Sequence, residues 1–487
     1  MLADLVAIAV LLAIPLGIAS AAVTAAALSA PHDRHGRVGR VYLVGGLFVS
    51  FAGAWLVALS AWLGREDSGL GAFPFLGMLL LGLVGAGLLV SGLGPSSSWL
   101  LGIFDRHAAR LPLPARLAAR DLAGRRRSTA PAVAVTMIAT AFGIALTIIA
   151  VGVTGQSRAG YLPQARPGAL LVGHFSAADA GTVRAAIERE LPGVPVAQSE
   201  RLSDASRFFQ IRAEDYDQPQ EVVHWPHVIG DGAMLRYLTG HQSTPYDENT
   251  VVVVTNADVQ ADAVEIVHAV DKRDGDRPTV RIVPARVART ADPTMETVFV
   301  PSKIVRDLGF RLEPDELIVD PTLRRVSVDE QERLDGRLGD EVADTYVERG
   351  FQPATGWVPV VAAAFLVAAG GALATGRGRT VSPRPARVLR HVTGRRSAFR
   401  WFAASRTGLA ALCGTVLGAV AGIPIGMSLI WVWTTTWEEP DRVPFETRWA
   451  LIAAMAAALP LLAAALGGLL SREDANPRIS PAGRARR

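Results

Sequence analysis

The sequence predicts a polytopic α-helical membrane protein of about seven transmembrane helices with one α+β extracytoplasmic domain. Three observations predict it. Half of the 487 residues are hydrophobic, and they gather into seven charge-free runs, each near the 20 or so residues that cross hydrocarbon at about 1.5 Å per residue. The segments between the runs alternate between basic and acidic. The long segment between the fourth and fifth runs carries strand and helix patterns of its own.

The runs are Leu5–Ala30, Val41–Leu63, Phe73–Leu93, Ala130–Val153, Trp357–Thr375, Thr407–Trp433 and Trp449–Leu470. The first is read as a span and not as a cleaved leader, because Met1–Asp4 holds no basic residue and the run is too long. With short margins, the spans occupy about 5–30, 41–63, 73–93, 129–155, 357–375, 407–433 and 449–471.

Orientation follows from charge, since arginine excess in short loops marks the cytoplasmic side. The segments 31–40, 94–128, 376–406 and 472–487 together hold 24 Arg and 5 acids, a net of +19. The alternate segments are acidic: Arg65 faces Glu66 and Asp67, and 434–448 sets Arg442 and Arg448 against Glu438, Glu439, Asp441 and Glu446. The segment 156–356 holds 22 basic and 33 acidic residues. The reading places the N-terminus outside and the C-terminus in the cytoplasm of a multi-pass cell-membrane protein. Trp62, Trp357, Trp431, Trp433, Trp437 and Trp449 then fall at outer span ends, where an amphipathic ring suits the headgroup zone.

The domain at 156–356 is large enough to fold around its own core. It must do so without a disulfide, because Cys413 is the one cysteine. Periodicity predicts strands at 168–173, 194–197, 208–212, 250–255, 280–283, 297–300 and 316–319. It predicts helices at 177–191, at 301–308 with Ser302 as a cap, and at 328–338.

Three stretches are candidate sites. In the connector 101–128, Leu113, Leu117 and Leu122 can face apolar surroundings while Arg116, Arg120, Arg125, Arg126 and Arg127 face phosphates. This reads either as an interfacial helix or as a generic positive stop before a span. In the sixth span, Gly414, Gly418, Gly422 and Gly426 recur every four residues. They form a small-residue groove that drifts about 40° per step and admits a close helix. Pro424 and Pro460 are expected to kink their spans. The basic loop 376–406, with nine Arg and no acid, is the third stretch.

The stretch Leu117-Ala-Ala-Arg-Asp-Leu-Ala-Gly-Arg-Arg-Arg-Ser-Thr-Ala-Pro-Ala-Val-Ala-Val135 resembles the entry to an FtsX-like permease module, the MacB-type membrane subunit of ABC transporters. Residues 113–475 are similar to that family's order of elements: span, external domain, span, basic loop, two closing spans. The segment Arg387-Val-Leu-Arg-His-Val-Thr-Gly394-Arg-Arg resembles its coupling segment. The resemblance is to the C-terminal half of a ten-span permease, with the first span standing for the last of a missing module. It implies that Arg387, Leu389, Arg390, Gly394, Arg395 and Arg396 dock a separate ABC ATPase, which binds the ATP. It also implies a homodimer or a partner permease half. The segment 376–406 lacks the acid that active relatives often carry, which favours an alternative: a non-transporting sensor or scaffold whose domain binds a peptide, lipid or cell-wall protein.

Other chemistry is not visible. There is no Walker Gly-x-x-x-x-Gly-Lys-Ser/Thr, no His-Glu-x-x-His and no Gly-x-Ser-x-Gly, so the chain is expected to be neither an ATPase nor an enzyme, with no cofactor of its own. His224 and His227 flank Trp225-Pro226 and read as two loop histidines, because no further ligand supports a metal. No ionisable residue lies mid-span, against ion-coupled transport. The basic loops lack the interleaved aromatics of a nucleic-acid surface, Trp401 apart.

Overall fold

The computed structural model describes residues 36–63, 75–203, 208–213, 225–269, 279–339, 341–375, 396–434 and 449–470. The chain forms two compact units, one of membrane-type helices and one spanning residues 160–352. The run Leu5–Ala30 lies outside the described residues.

Among the described residues, six helices are long and apolar enough to cross a membrane. They are α1 (Gly36–Leu63), α2 (Phe75–His107), α4 (Arg126–Ala159), α9 (Trp357–Ala374), α10 (Arg396–Trp433) and α11 (Trp449–Leu470). A short helix, α3 (Leu113–Gly124), precedes α4. Four helices run beyond their apolar stretches, α1 by beginning at Gly36 ahead of Val41. α2 continues through Pro95 to His107, so much of the expected loop 94–128 is helical. α4 gains a turn to Ala159. α10 begins at Arg396, so the last eleven residues of the expected loop 376–406 extend the span. Hydropathy marks where charge begins, and backbone hydrogen bonding does not stop there.

α10 is the hub of this unit and packs against α1, α2, α3, α4, α9 and α11. Its apolar positions Leu417, Ala421, Ile425 and Leu429 join Met137, Ala141 and Ala145 of α4 and Leu83, Ala86 and Leu89 of α2 in one core. The α1–α2 pair is close because glycines meet at the crossing. A β-carbon on Gly46 would stand 2.8 Å from Gly92 O, and one on Gly85 would stand 2.9 Å from Gly53 O. Phe48 and Phe51 on the outer side of α1 are more than two-thirds exposed, as suits a lipid-facing surface.

The second unit is built on a ten-stranded mixed sheet ordered β10-β1-β9-β2-β4-β8-β5-β7-β6-β3. The strands are β1 (Leu170–Gly173), β2 (Val196–Leu202), β3 (Phe208–Ala213), β4 (His227–Gly230), β5 (Val251–Val254), β6 (Ala263–Ala269), β7 (Thr279–Ala288), β8 (Thr297–Pro301), β9 (Leu312–Val319) and β10 (Asp344–Val347). Pairing is antiparallel except for β4 with β8 and β5 with β7. The helices are α5 (Ala180–Glu190), α6 (Gly232–Thr239), α7 (Ser302–Asp307) and α8 (Val328–Leu338).

Both faces of the sheet are covered at β5, which explains its unbroken valines. Val252 and Val254 enter a core with Phe299 and α6 residues Leu235 and Leu238, while Val251 and Val253 enter another with Ile304 and Phe310. A third core sets Leu170, Val172, Leu317 and Val319 under Val183 and Ile187 of α5 and Leu334 of α8.

Two local readings are corrected. Ser302 does not cap α7: it is the buried first residue of the helix, and Pro301 holds the cap position without a side-chain bond. β8 runs directly into α7, leaving no loop residue to turn back. His227 is not a loop residue but opens β4, its ring 5.5 Å from that of Phe209. Burial lowers its pKa. His224 lies outside the described residues.

Candidate functional site

The helical unit brings its most unusual chemistry together where α3 meets α10. α3 begins with Pro114 in its first turn and ends at Arg125, a non-helical residue (φ −116°, ψ 34°) that separates it from α4. Its buried face consists of Ala118, Ala119, Asp121 and Leu122. Ala118 and partly buried Leu117 pack on Phe402 of α10, and Leu122 joins Leu101, Val133, Ala410 and Cys413.

The packing adds a protein partner to the connector read as an interfacial helix or a positive stop before a span. The apolar face of α3 is spent on neighbouring helices, and Leu113, expected to share it, is exposed. Arg116 does not project into open surroundings: its Nη2 donates to Ala109 O at 2.8 Å and to Leu111 O at 3.4 Å, bracing the turn before α3. Arg120 is exposed. Arg125 is the C-cap of α3 and Arg126 is the first residue of α4.

Within this contact Asp121 Oδ2 lies 2.7 Å from Arg406 Nη1 of α10, with side-chain exposures of 4% and 0%. Arg125 Nε approaches Asp121 Oδ1 at 3.9 Å from a side chain 34% exposed. An ion pair so shielded from water is unlike a surface pair: removing one partner of such a pair typically costs about 3–5 kcal/mol. Sequence reading missed the pair. Asp121 counted there only as a minor acid in a basic connector, and Arg406 only as the last residue of a basic loop. The one available signal was an acid facing the apolar side of α3, beside Ala118 and Leu122.

The glycines at 414, 418, 422 and 426 all face α4. A β-carbon on Gly414 would stand 2.6 Å from Thr136 Cβ, one on Gly418 2.6 Å from Met137 O, one on Gly422 2.6 Å from Ala141 O, and one on Gly426 2.9 Å from Ile148 Cβ. Such backbone-to-backbone approach admits no side chain larger than hydrogen without a shift. Hydroxyls stitch the same bundle. Ser428 Oγ donates to Val57 O at 2.5 Å and lies 2.8 Å from Ser60 Oγ, Thr136 Oγ1 donates to Ala368 O at 3.1 Å, and Thr407 Oγ1 to Ala463 O at 3.0 Å. α10 continues through Pro424 and α11 through Pro460.

Of the expected coupling residues, Arg387, Leu389, Arg390, Gly394 and Arg395 lie outside the described residues, and Arg396 is the first residue of α10.

The sheet unit has its own polar centre at the root, where its two chain ends meet. Glu348 is 1% exposed. Its carboxylate accepts from the Tyr161 hydroxyl, from Gln164 N–H at 3.0 Å, from the Tyr346 hydroxyl at 3.2 Å and from Gly350 N–H at 2.7 Å. Tyr161 also meets Phe351 edge-on at 5.8 Å. Burial and the neighbouring Glu348 push the Tyr161 hydroxyl far above its ordinary pKa. A second buried contact joins Arg166 to Asp320 at 3.7 Å, with Arg166 N–H donating to the Tyr237 hydroxyl at 3.0 Å. The residues around 161–166 are thereby fastened both to the sheet and to the departing segment 346–351.

Among the described residues, no group of three or more His, Cys, Asp or Glu side chains is arranged to hold a metal ion. The chain matches no family model, and no curated protein matches it.

Proposed function

We propose that this chain is the membrane subunit of an ABC transporter or mechanotransmission complex. A separate cytoplasmic ATPase docks on the basic segment 376–406, and its cycle moves an extracytoplasmic domain, residues 160–352. The observation that carries the reading is α10. It runs unbroken from Arg396, within the basic segment, to Trp433, and among the described residues it touches every other membrane-type helix of its unit as well as α3. Displacement at its basic end has a stiff path through the bundle. The glycine contact with α4 extends that path, because α4 ends at Ala159, next to the residues fastened by Glu348.

Basic and acidic segments alternate along the sequence, which supports cytoplasmic placement of 376–406 and outside placement of the sheet domain. The lack of acid in 376–406 favours the scaffold alternative. Asp121, supplied by α3 to Arg406, is an acid at the end of that segment and weighs on the side of transmission.

The test is reconstitution in lipid nanodiscs with candidate ABC ATPases from the same cell. The expected result is a stable complex whose ATP hydrolysis differs from that of the free ATPase, and loss of the complex when Arg387, Arg390, Arg395 and Arg396 are replaced by Glu. A complex that survives those replacements moves the docking surface elsewhere. Hydrolysis unchanged by the permease under any condition removes transmission and leaves the scaffold.

A further inference from the structure

One carboxylate, Asp121, stands between two guanidinium groups, and one of these belongs to a hinge. Arg125 is the single non-helical residue between α3 and α4. Its N–H donates to Asp121 O at 3.1 Å, and its carbonyl accepts from Thr129 N–H at 3.2 Å and Thr129 Oγ1 at 3.1 Å. Both helices are hydrogen-bonded up to this residue, so a change of angle between them concentrates in its φ and ψ. Arg125 also carries a cation that reaches Asp121 along the same helix, four residues on. Arg406 reaches the same carboxylate from another element, 285 positions away in sequence.

We propose that Asp121 is a two-position latch. In the arrangement described it is closed on Arg406 and holds α3 against α10. Turned toward Arg125, it takes a partner that travels with α3, and α3 is free to swing about the hinge.

The charges make the exchange feasible. A carboxylate leaving a buried cation normally becomes a stranded charge, which is the main penalty for breaking such pairs. Here the second cation is already 3.9 Å away, so Asp121 keeps a partner in both positions. Arg406 lies one residue outside the charge-free run 407–433, so its long stem can carry the guanidinium to headgroup phosphates when the carboxylate leaves. Arg125, one-third exposed, weakens the closed state in two ways: it competes for the carboxylate and repels Arg406. The latch is a property of this chain alone and does not require the proposed ATPase.

The experiment is amide hydrogen exchange over residues 113–124 in the full-length protein, in nanodiscs and without partners. Arg125→Gln removes the competitor, so exchange of α3 is expected to slow by about threefold, within the range of a part-exposed pair. Asp121→Asn and Arg406→Gln are each expected to speed exchange by about tenfold or more, because each removes the contact that holds α3 against α10. Asp121→Arg combined with Arg406→Asp is expected to return most of that loss. If Arg125→Gln leaves exchange unchanged or faster, the pair is a static packing contact and the latch is overturned. Where the buried variants do not fold, Arg125→Gln decides alone, since it alters a part-exposed side chain.

Discussion

At the scale of single residues, two kinds of contact hold the helical unit, and they differ in how far the sequence reveals them. The glycine groove is legible because its signal is spacing: four glycines at four-residue intervals need no partner to be noticed. The surface they meet is not, because Thr136, Met137, Thr140 and Ala141 sit in a run apolar on every side and carry no periodic mark. The Asp121–Arg406 pair is less legible still, since it depends on two helices 285 positions apart coming together. The groove makes a sharp prediction. Gly418→Val forces a side chain onto the α4 backbone and should destabilise the fold by about 1–3 kcal/mol, read as a lower melting temperature in nanodiscs. Gly370→Val, at a position with no atom within 4 Å of the added carbon, should change it little. Equal melting temperatures for the two variants would show that the α4–α10 approach is looser than described.

At the scale of elements, local chemistry is read well where it is self-contained. α8 spans 328–338 as periodicity predicts, because its start is written in four residues: Ser327 Oγ accepts from Glu330 N–H at 3.2 Å, and the Glu330 carboxylate accepts from Ser327 N–H at 2.9 Å. Ser327→Ala should cost about 1 kcal/mol, measured by chemical denaturation followed through the domain's aromatic signal. The hydrogen bond from the Ser327 backbone, with Arg324 beside it, lowers the Glu330 pKa from 4.5 to about 2. A depressed folded-state value means that this contribution is present above the unfolded value and fades as pH falls from about 4.5 toward 2. The destabilisation by Glu330→Gln should therefore shrink in acid; a difference that stays constant down to pH 2 would remove the carboxylate from the cap. Elements defined by their neighbours were not visible. β4, β10 and α6 are short, β10 opens with Asp344, and the seven residues of β6 include Glu265 and His268, so each reads as a strand or helix only beside its partners. α3 shows the same dependence: its amphipathic pattern is visible in the sequence, but the residues its buried face meets, Phe402 and Leu101, are not.

At the scale of the whole molecule, charge alternation is the strongest long-range signal in the sequence, and it carries the proposed orientation. In a Cys413→Ser background, Val280→Cys, at a half-exposed position of β7, should react with a membrane-impermeant maleimide added to intact cells. Labelling only after the cells are opened would reverse the orientation and remove the docking surface with it. Two units were legible because their compositions differ so sharply. The root of the sheet domain was not, because Tyr161 and Glu348 are 187 positions apart and neither belongs to a motif. That root sets what the domain can feel. Its incoming and outgoing segments are bonded to one carboxylate, so opposite pulls on the two would load the Glu348 hydrogen bonds before they strained the sheet.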